Sequence, residues 1–155
     1  MSIWWSLHLR REAASVPLAR RLLLGAMDTA GVDPDISFDL SVALTEACAN
    51  AVEHGGDEGS GEPPGAYRVT AYLDGERCRI EVADSGPGFP ARRVVQRTAP
   101  APTPAPALTA ENGRGLGLIE QLADHVQFGN QPGHGAVVSF DKILKWREGA
   151  LLRAM

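Results

Sequence analysis

Within the stretch LTEACANAVEHGG, residues 44–56, four side chains able to do chemistry stand just before two glycines: Glu46, Asn50, Glu53 and His54. On a helix advancing about 100° per residue, Glu46, Asn50 and Glu53 fall within a sector of roughly 60°, with His54 at its border. Leu40, Leu44, Ala47 and Ala51 fall on the other side and can face a core. A solvated polar stripe would account for this pattern, and so would a site. Mg²⁺ is a hard cation that keeps several of its waters, so one amide oxygen from Asn50 would suffice. A carboxylate one turn away, Glu46, could take a proton from an attacking hydroxyl or water. His54 is the weaker member, since histidines at helix ends often just bond the last carbonyls.

Two further segments carry chemistry. In VADSGPGFP, residues 82–90, strand alternation puts Asp84 on the face of Cys78, Ile80 and Val82. A carboxylate on a core-facing side costs free energy unless it is hydrogen-bonded. It needs a donor from the protein or from a ligand. Gly86 and Gly88 allow a sharp turn and close approach of backbone to something flat. The alternative is an Asp-Ser-Gly turn whose carboxylate caps local backbone. In ENGRGLGLI, residues 111–119, Gly113, Gly115 and Gly117 lead into a helix. Exposed amides and the helix dipole make an anion site there, although tight packing would also select glycine. No Lys-Ser/Thr pair follows, so this is not a Walker loop. A proline-rich segment precedes it instead of a strand, which argues against a dinucleotide-binding fingerprint.

The elements that must position these residues are legible in outline. A length of 155 residues favours one domain, and 44% hydrophobic with 22% charged residues is ordinary for a globular chain. Residues 3–9 read as a strand. Residues 15–30 read as a helix with Ser15 as N-cap, Pro17 in the first turn, and Leu18, Leu22, Leu23 and Ala26 at helical spacing; Gly31 stops it. Asp33-Pro34 starts the helix that runs to about His54. Tyr67, Val69, Ala71 and Leu73 alternate as a strand, Asp74-Gly75 turns the chain, and the returning strand sets Cys78, Ile80 and Val82 on one face.

Residues 90–112 include TAPAPTPAPALTA, which cannot form a helix or a central strand and reads as a lid between two motifs. Residues 126–128 and 136–140 read as strands around a turn at 131–133. The tail from Lys142 to Met155 reads as helical, with Ile143, Leu144, Trp146, Leu151 and Leu152 apolar. The expected domain spans residues 1–142, with residues 143–155 as its tail.

A net charge of -4 gives no footprint for nucleic acid. No apolar run approaches the ~20 residues of a membrane-spanning helix. Cys48 and Cys78 are too few for a disulfide framework and read as buried free thiols, so a cytoplasmic protein is expected.

On these residues the chain resembles the ATP-binding fold shared by gyrase, the ninety-kilodalton heat-shock chaperone, histidine kinases and the MutL mismatch-repair protein, the histidine-kinase-like ATPase superfamily. Within it the likeness is to the anti-sigma-factor serine/threonine kinases. TEACANAVEHG is similar to that family's first motif, DSGPG to its second and GRGLGLI to its third. The resemblance implies an α/β sandwich of the Bergerat type, with a mixed sheet covered by helices on one face and ATP held between helices and lid. It implies that Asn50 ligates Mg²⁺, that Glu46 is the general base, and that Asp84 accepts the adenine amino group. Gly86 and Gly88 would shape the adenine pocket. Gly113, Arg114, Gly115, Leu116 and Gly117 would wrap the phosphates, with Arg114 offering charge.

The implied partners are a sigma factor to sequester and an anti-sigma antagonist to phosphorylate on Ser or Thr. Family members commonly form homodimers. The alternative is a non-catalytic, nucleotide-dependent sigma-binding module. In many relatives a threonine follows the late glycine turn, whereas here Gly133-His134-Gly135-Ala136 offers no hydroxyl.

Overall fold

Helix boundaries follow local chemistry. The computed structural model describes residues 2–54, 66–84, 96–97, 112–130 and 135–148. Helix α1 (Ser15–Ala30) ends at Gly31, whose φ of 91° is a left-handed cap that a side chain would strain. The Gly31 and Val32 N–H groups both return to the Met27 carbonyl at 3.0 Å. Helix α2 (Pro34–His54) starts where Asp33 Oδ1 accepts the Asp35 N–H at 2.8 Å, with proline in the first turn.

The strands are β1 (Ile3–Arg10), β2 (Ala66–Leu73), β3 (Arg77–Asp84), β4 (Gln96–Arg97), β5 (His125–Asn130) and β6 (Ala136–Ile143), and α3 (Asn112–Leu122) precedes β5. They form one sheet in the order β1-β2-β3-β6-β5-β4. Three helices cover one face, with α2 between α1 and α3. The inward residues Val69, Leu73, Ile80 and Phe140 meet Leu23, Leu40, Leu44 and Ile119 from the helices, all fully buried. Burying each side chain of this size contributes about 1.5–3 kcal/mol. At the β2–β3 hairpin the Asp74 carboxylate accepts the Glu76 and Arg77 N–H groups at 2.7 and 2.8 Å. These bonds hold it below the usual carboxylate range.

The expected two-layer α/β sandwich is the fold that forms. Every strand pairing among the described residues is antiparallel, however, so the sheet they form is not mixed. Between β1 and β2 the chain climbs down α1 and back up α2, which returns it to the sheet in the opposite sense.

Three local expectations are corrected. Ser15 is the first residue of α1 and not its cap; Ala14 holds that place without a side-chain bond. The buried stripe of α1 is Ser15, Ala19, Leu23, Met27 and Ala30, while Leu18 and Leu22 are exposed. Residues 144–148, the described part of the tail after β6, are not helical; residues 149–155 lie outside the described residues. Leu144 donates to Glu76 O, Trp146 bridges to Val32, its indole Nε1–H donates to Gly75 O at 3.1 Å, and Arg147 N–H donates to Gly31 O. The tail thus straps the two turns at that end of the sheet.

Candidate functional site

The C-terminal half of α2 presents two faces. Leu44, Ala47, Cys48 and Ala51 are buried, as the sequence predicts, while Glu46 and Asn50 are half-buried and Glu53 is exposed. One contact tells which neighbour this stripe faces. Asp39 lies seven and eleven residues before Glu46 and Asn50, so all three share a flank within roughly 40°. The Asp39 carboxylate pairs with Lys142 Nζ at 3.8 Å, and the same nitrogen donates to the carbonyl of Leu122, the last residue of α3, at 2.7 Å. The flank carrying Glu46 and Asn50 is therefore the one turned toward α3. Because the shared contact joins the second turn of α2 to the end of α3, the two packed helices run in opposite senses. The start of α3 lies toward the C-terminal half of α2. Seven residues of helix span about 10 Å, which brings Glu46 level with Gly115.

Helix α3 begins at Asn112, so Gly113, Arg114, Gly115, Leu116 and Gly117 occupy its first turns instead of leading into it. The first four N–H groups of a helix have no partner within it and carry the positive end of its dipole. They are suited to an anion. Leu116 is buried and anchors this start to the core, and a Cβ at Gly117 would meet open space. The Arg114 side chain lies outside the described residues, as does that of His54.

Asp84 ends β3 on the inward face in register with Tyr67, continuing Cys78, Ile80 and Val82 as expected. Its carboxylate is half-buried, and Oδ1 accepts the Ala136 N–H at 3.1 Å, while its main-chain carbonyl accepts the Gly135 N–H at 2.8 Å. Ala136 brings no hydroxyl but fixes the acid through its backbone. The protein donor and the ligand donor weighed from the sequence are compatible, since a carboxylate accepts several bonds. Gly86, Gly88, the two glycines after α2, the turn at 131–134 and the expected lid apart from β4 and Asn112 lie outside the described residues.

Behind the site sits a buried polar node. Tyr67 Oη and Ser15 Oγ are 2.6 Å apart, Ser15 also donates to Glu12 O at 2.7 Å, and Cys48 bonds Tyr67. Burial pushes the Cys48 thiol and the Tyr67 phenol up to about 12. Cys78 is a buried free thiol at about 12 for the same reason. Neither thiol is a nucleophile at neutral pH. The C-terminal end of α2 is itself held, because Arg11 Nε donates to Val52 O at 2.7 Å and Arg11 Nη2 to Glu53 O at 3.3 Å. Sequence reasoning assigned neither Arg11, read within a solvated Arg10-Arg11 pair, nor Lys142 a role at this site. A lysine at the inward position after Val138 and Phe140 was the available signal.

Comparison with known proteins bears on this arrangement. The model of the histidine kinase-like ATPase domain matches residues 9–142. The serine-protein kinase RsbW of Oceanobacillus iheyensis is 34% identical over 86% of this chain and 82% of its own. That of Bacillus velezensis is 34% identical over 86% and 81%, and that of Bacillus cereus 31% over 79% and 74%. A crystal structure of the RsbU and RsbW domains of a Mycobacterium tuberculosis protein superposes with a TM-score of 0.62 at 20% identity. It covers 91% of this chain and about a third of the larger one (33%), and supports the fold alone.

Proposed function

Since the chain belongs to the histidine kinase-like ATPase family, among the serine-protein kinases named RsbW, we propose that it binds ATP between α2, β3 and α3 and passes the γ-phosphoryl group to a serine or threonine of an anti-sigma antagonist. It is an ATP-binding protein serine/threonine kinase and an anti-sigma factor. The sigma factor it sequesters and the antagonist it phosphorylates are its two protein partners in this reading. We place it in the cytoplasm as a homodimer. Two buried free thiols suit a reducing compartment, and no helix among the described residues is long and apolar enough to cross a membrane. Residues 1–142 form the ATP-binding domain, with residues 90–112 as its lid and residues 143–155 as a tail.

The observation that carries the reading is the flank of α2. Glu46 and Asn50 share it, half-buried, and it faces the glycine-bearing start of α3. Asp84 accepts the adenine amino group while Ala136 N–H holds it in place. Gly86 and Gly88 shape the ring pocket. The free first-turn amides, Gly113 and Arg114 among them, meet the phosphates, Gly115, Leu116 and Gly117 continue the turn that wraps them, and the Arg114 guanidinium adds charge. Glu46 takes the proton from the partner's hydroxyl as that oxygen attacks the γ-phosphorus, and ADP leaves with the electrons of the broken bond.

The donor set suits Mg²⁺. No group of three or more His, Cys, Asp or Glu able to hold a metal exists among the described residues, and a cation shared with phosphates and water needs only the Asn50 oxygen. When bound, Mg²⁺ supplies positive charge at the phosphates. The non-catalytic alternative is not favoured, because relatives matching most of the chain are serine-protein kinases.

The test is phosphotransfer. The purified protein, γ-labelled ATP and candidate antagonists are mixed, and label is sought on serine or threonine. Label that reaches no partner, or that appears equally with Glu46→Gln, would overturn the catalytic assignment.

A further inference from the structure

We propose that Lys142 is a positioning residue that sets the phosphate-holding start of α3 against the Glu46–Asn50 flank of α2; this rests on the reading of α3 given above. Lys142 lies on the inward side of β6, in line with Val138 and Phe140 and opposite Cys78, where alternation calls for an apolar residue. Its side chain is only 15% exposed. A cation placed there costs free energy unless it is paired, and its partners belong to both helices. Nζ donates to Leu122 O at the end of α3, at 2.7 Å, and pairs with Asp39 on α2 at 3.8 Å. The carbonyl it caps is one that a helix end leaves without a partner, at the negative end of the dipole.

The neighbouring residues stiffen the same corner. Asp124 N–H donates to Asp141 O at 2.8 Å, Ile143 N–H to Asp124 Oδ2 at 2.6 Å, and His125 Nδ1 lies 2.7 Å from Asp141 Oδ1. The chain after α3 is therefore fixed to β6 by main-chain and side-chain bonds, while Lys142 alone among these residues also reaches α2. Helix α3 is short, so a pivot at its last residue swings its first turn. Leu116 and Ile119 keep α3 packed in the core without the lysine, but the polar tie that joins its end to α2 is lost and its first turn is held less closely against the Glu46–Asn50 flank.

The experiment compares ATP with adenosine, which lacks phosphates. Calorimetric titrations with Mg²⁺ present are run on the wild type, Lys142→Met and Lys142→Arg, with folding checked by circular dichroism melts. In Lys142→Met, ATP affinity falls about ten-fold and adenosine affinity stays within about two-fold, whereas Lys142→Arg retains most of the ATP affinity. Equal losses for both ligands, unchanged ATP binding in Lys142→Met, or an arginine variant as weak as the methionine one would each overturn the proposal. A wild type that binds ATP no better than adenosine would instead remove the phosphate-cradle reading, and the role of Lys142 with it. If Lys142→Met does not fold, Asp39→Asn severs the ion pair but leaves the Leu122 bond. It should show a smaller loss for ATP only, and unchanged ATP binding there would count against the proposal.

Discussion

Replacing Asp84 by asparagine separates two jobs of one side chain. The carboxylate Oδ1 accepts the Ala136 N–H at 3.1 Å. An asparagine carbonyl can accept the same bond, so the β3–β6 junction survives. The fold should lose less than about 1 kcal/mol, equivalent to a melting shift of no more than about 4 °C for a chain of this size. The amide cannot supply the second, charged acceptor that the adenine amino group requires. A hydrogen bond to a charged group contributes about 1.5–3 kcal/mol, so ATP affinity should fall about ten- to 150-fold. Asp84→Ala serves as the contrast, because it also strands the Ala136 N–H and should cost about 1–3 kcal/mol of stability. Calorimetry with ATP and thermal melts on all three proteins read both quantities. An asparagine variant that binds ATP like the wild type, or that loses ATP only because it melts early, would refute the reasoning.

Glu46→Gln should slow phosphotransfer about 10²–10⁴-fold with ATP affinity nearly intact; a rate within a few-fold of wild type would remove Glu46 from the proton path. Arg11→Met deletes two bonds to the last carbonyls of α2, and urea denaturation should show a loss of about 1–2 kcal/mol; an unshifted midpoint would mean that water replaces the cap. Leu44→Ala empties a fully buried position and should cost about 2–5 kcal/mol, read from the same denaturation curves. Burial raises Cys48 and Cys78 from 9.0, and Tyr67 from 10.0, to about 12. Stability from keeping them neutral is fully present below about pH 9 and is lost as pH rises toward about 12. The urea midpoint should therefore fall between about pH 9 and about pH 11, and a flat profile across that window would contradict this burial.

Much of this structure is written in short-range signals. Asp33-Pro34 and Gly31 bound the helices because capping is local, and the alternation through Tyr67–Leu73 fixes the inward face of β2 because its period is two. Helix α1 was misread because apolar residues cover more than half its circumference. Spacing cannot choose between Leu18–Leu22 and Ala19–Leu23, and small alanines occupy the buried side, where the helix sits close to its neighbours. The first residues of the tail, 144–148, were misread because Leu144 and Trp146 take their partners from Glu76, Gly75 and Val32, far away in sequence.

At the candidate site, spacing and alternation were enough to single out Glu46, Asn50 and Asp84 as side chains able to do the proposed chemistry. The Ala136 N–H that holds Asp84 and the lysine joining α2 to α3 could not, since both depend on how distant strands register. The glycines of 113–117 were placed before a helix because glycine is a poor helix former. In the fold they begin one.

The central claim is that α2, β3 and α3 together enclose one nucleotide. Titration of the wild-type chain with ATP, with and without Mg²⁺, tests it most directly. The account predicts one ATP per chain, tighter with the cation present and lost in Asp84→Asn. A chain that takes up no ATP at millimolar concentration, or binds it unchanged without Asp84, would contradict it.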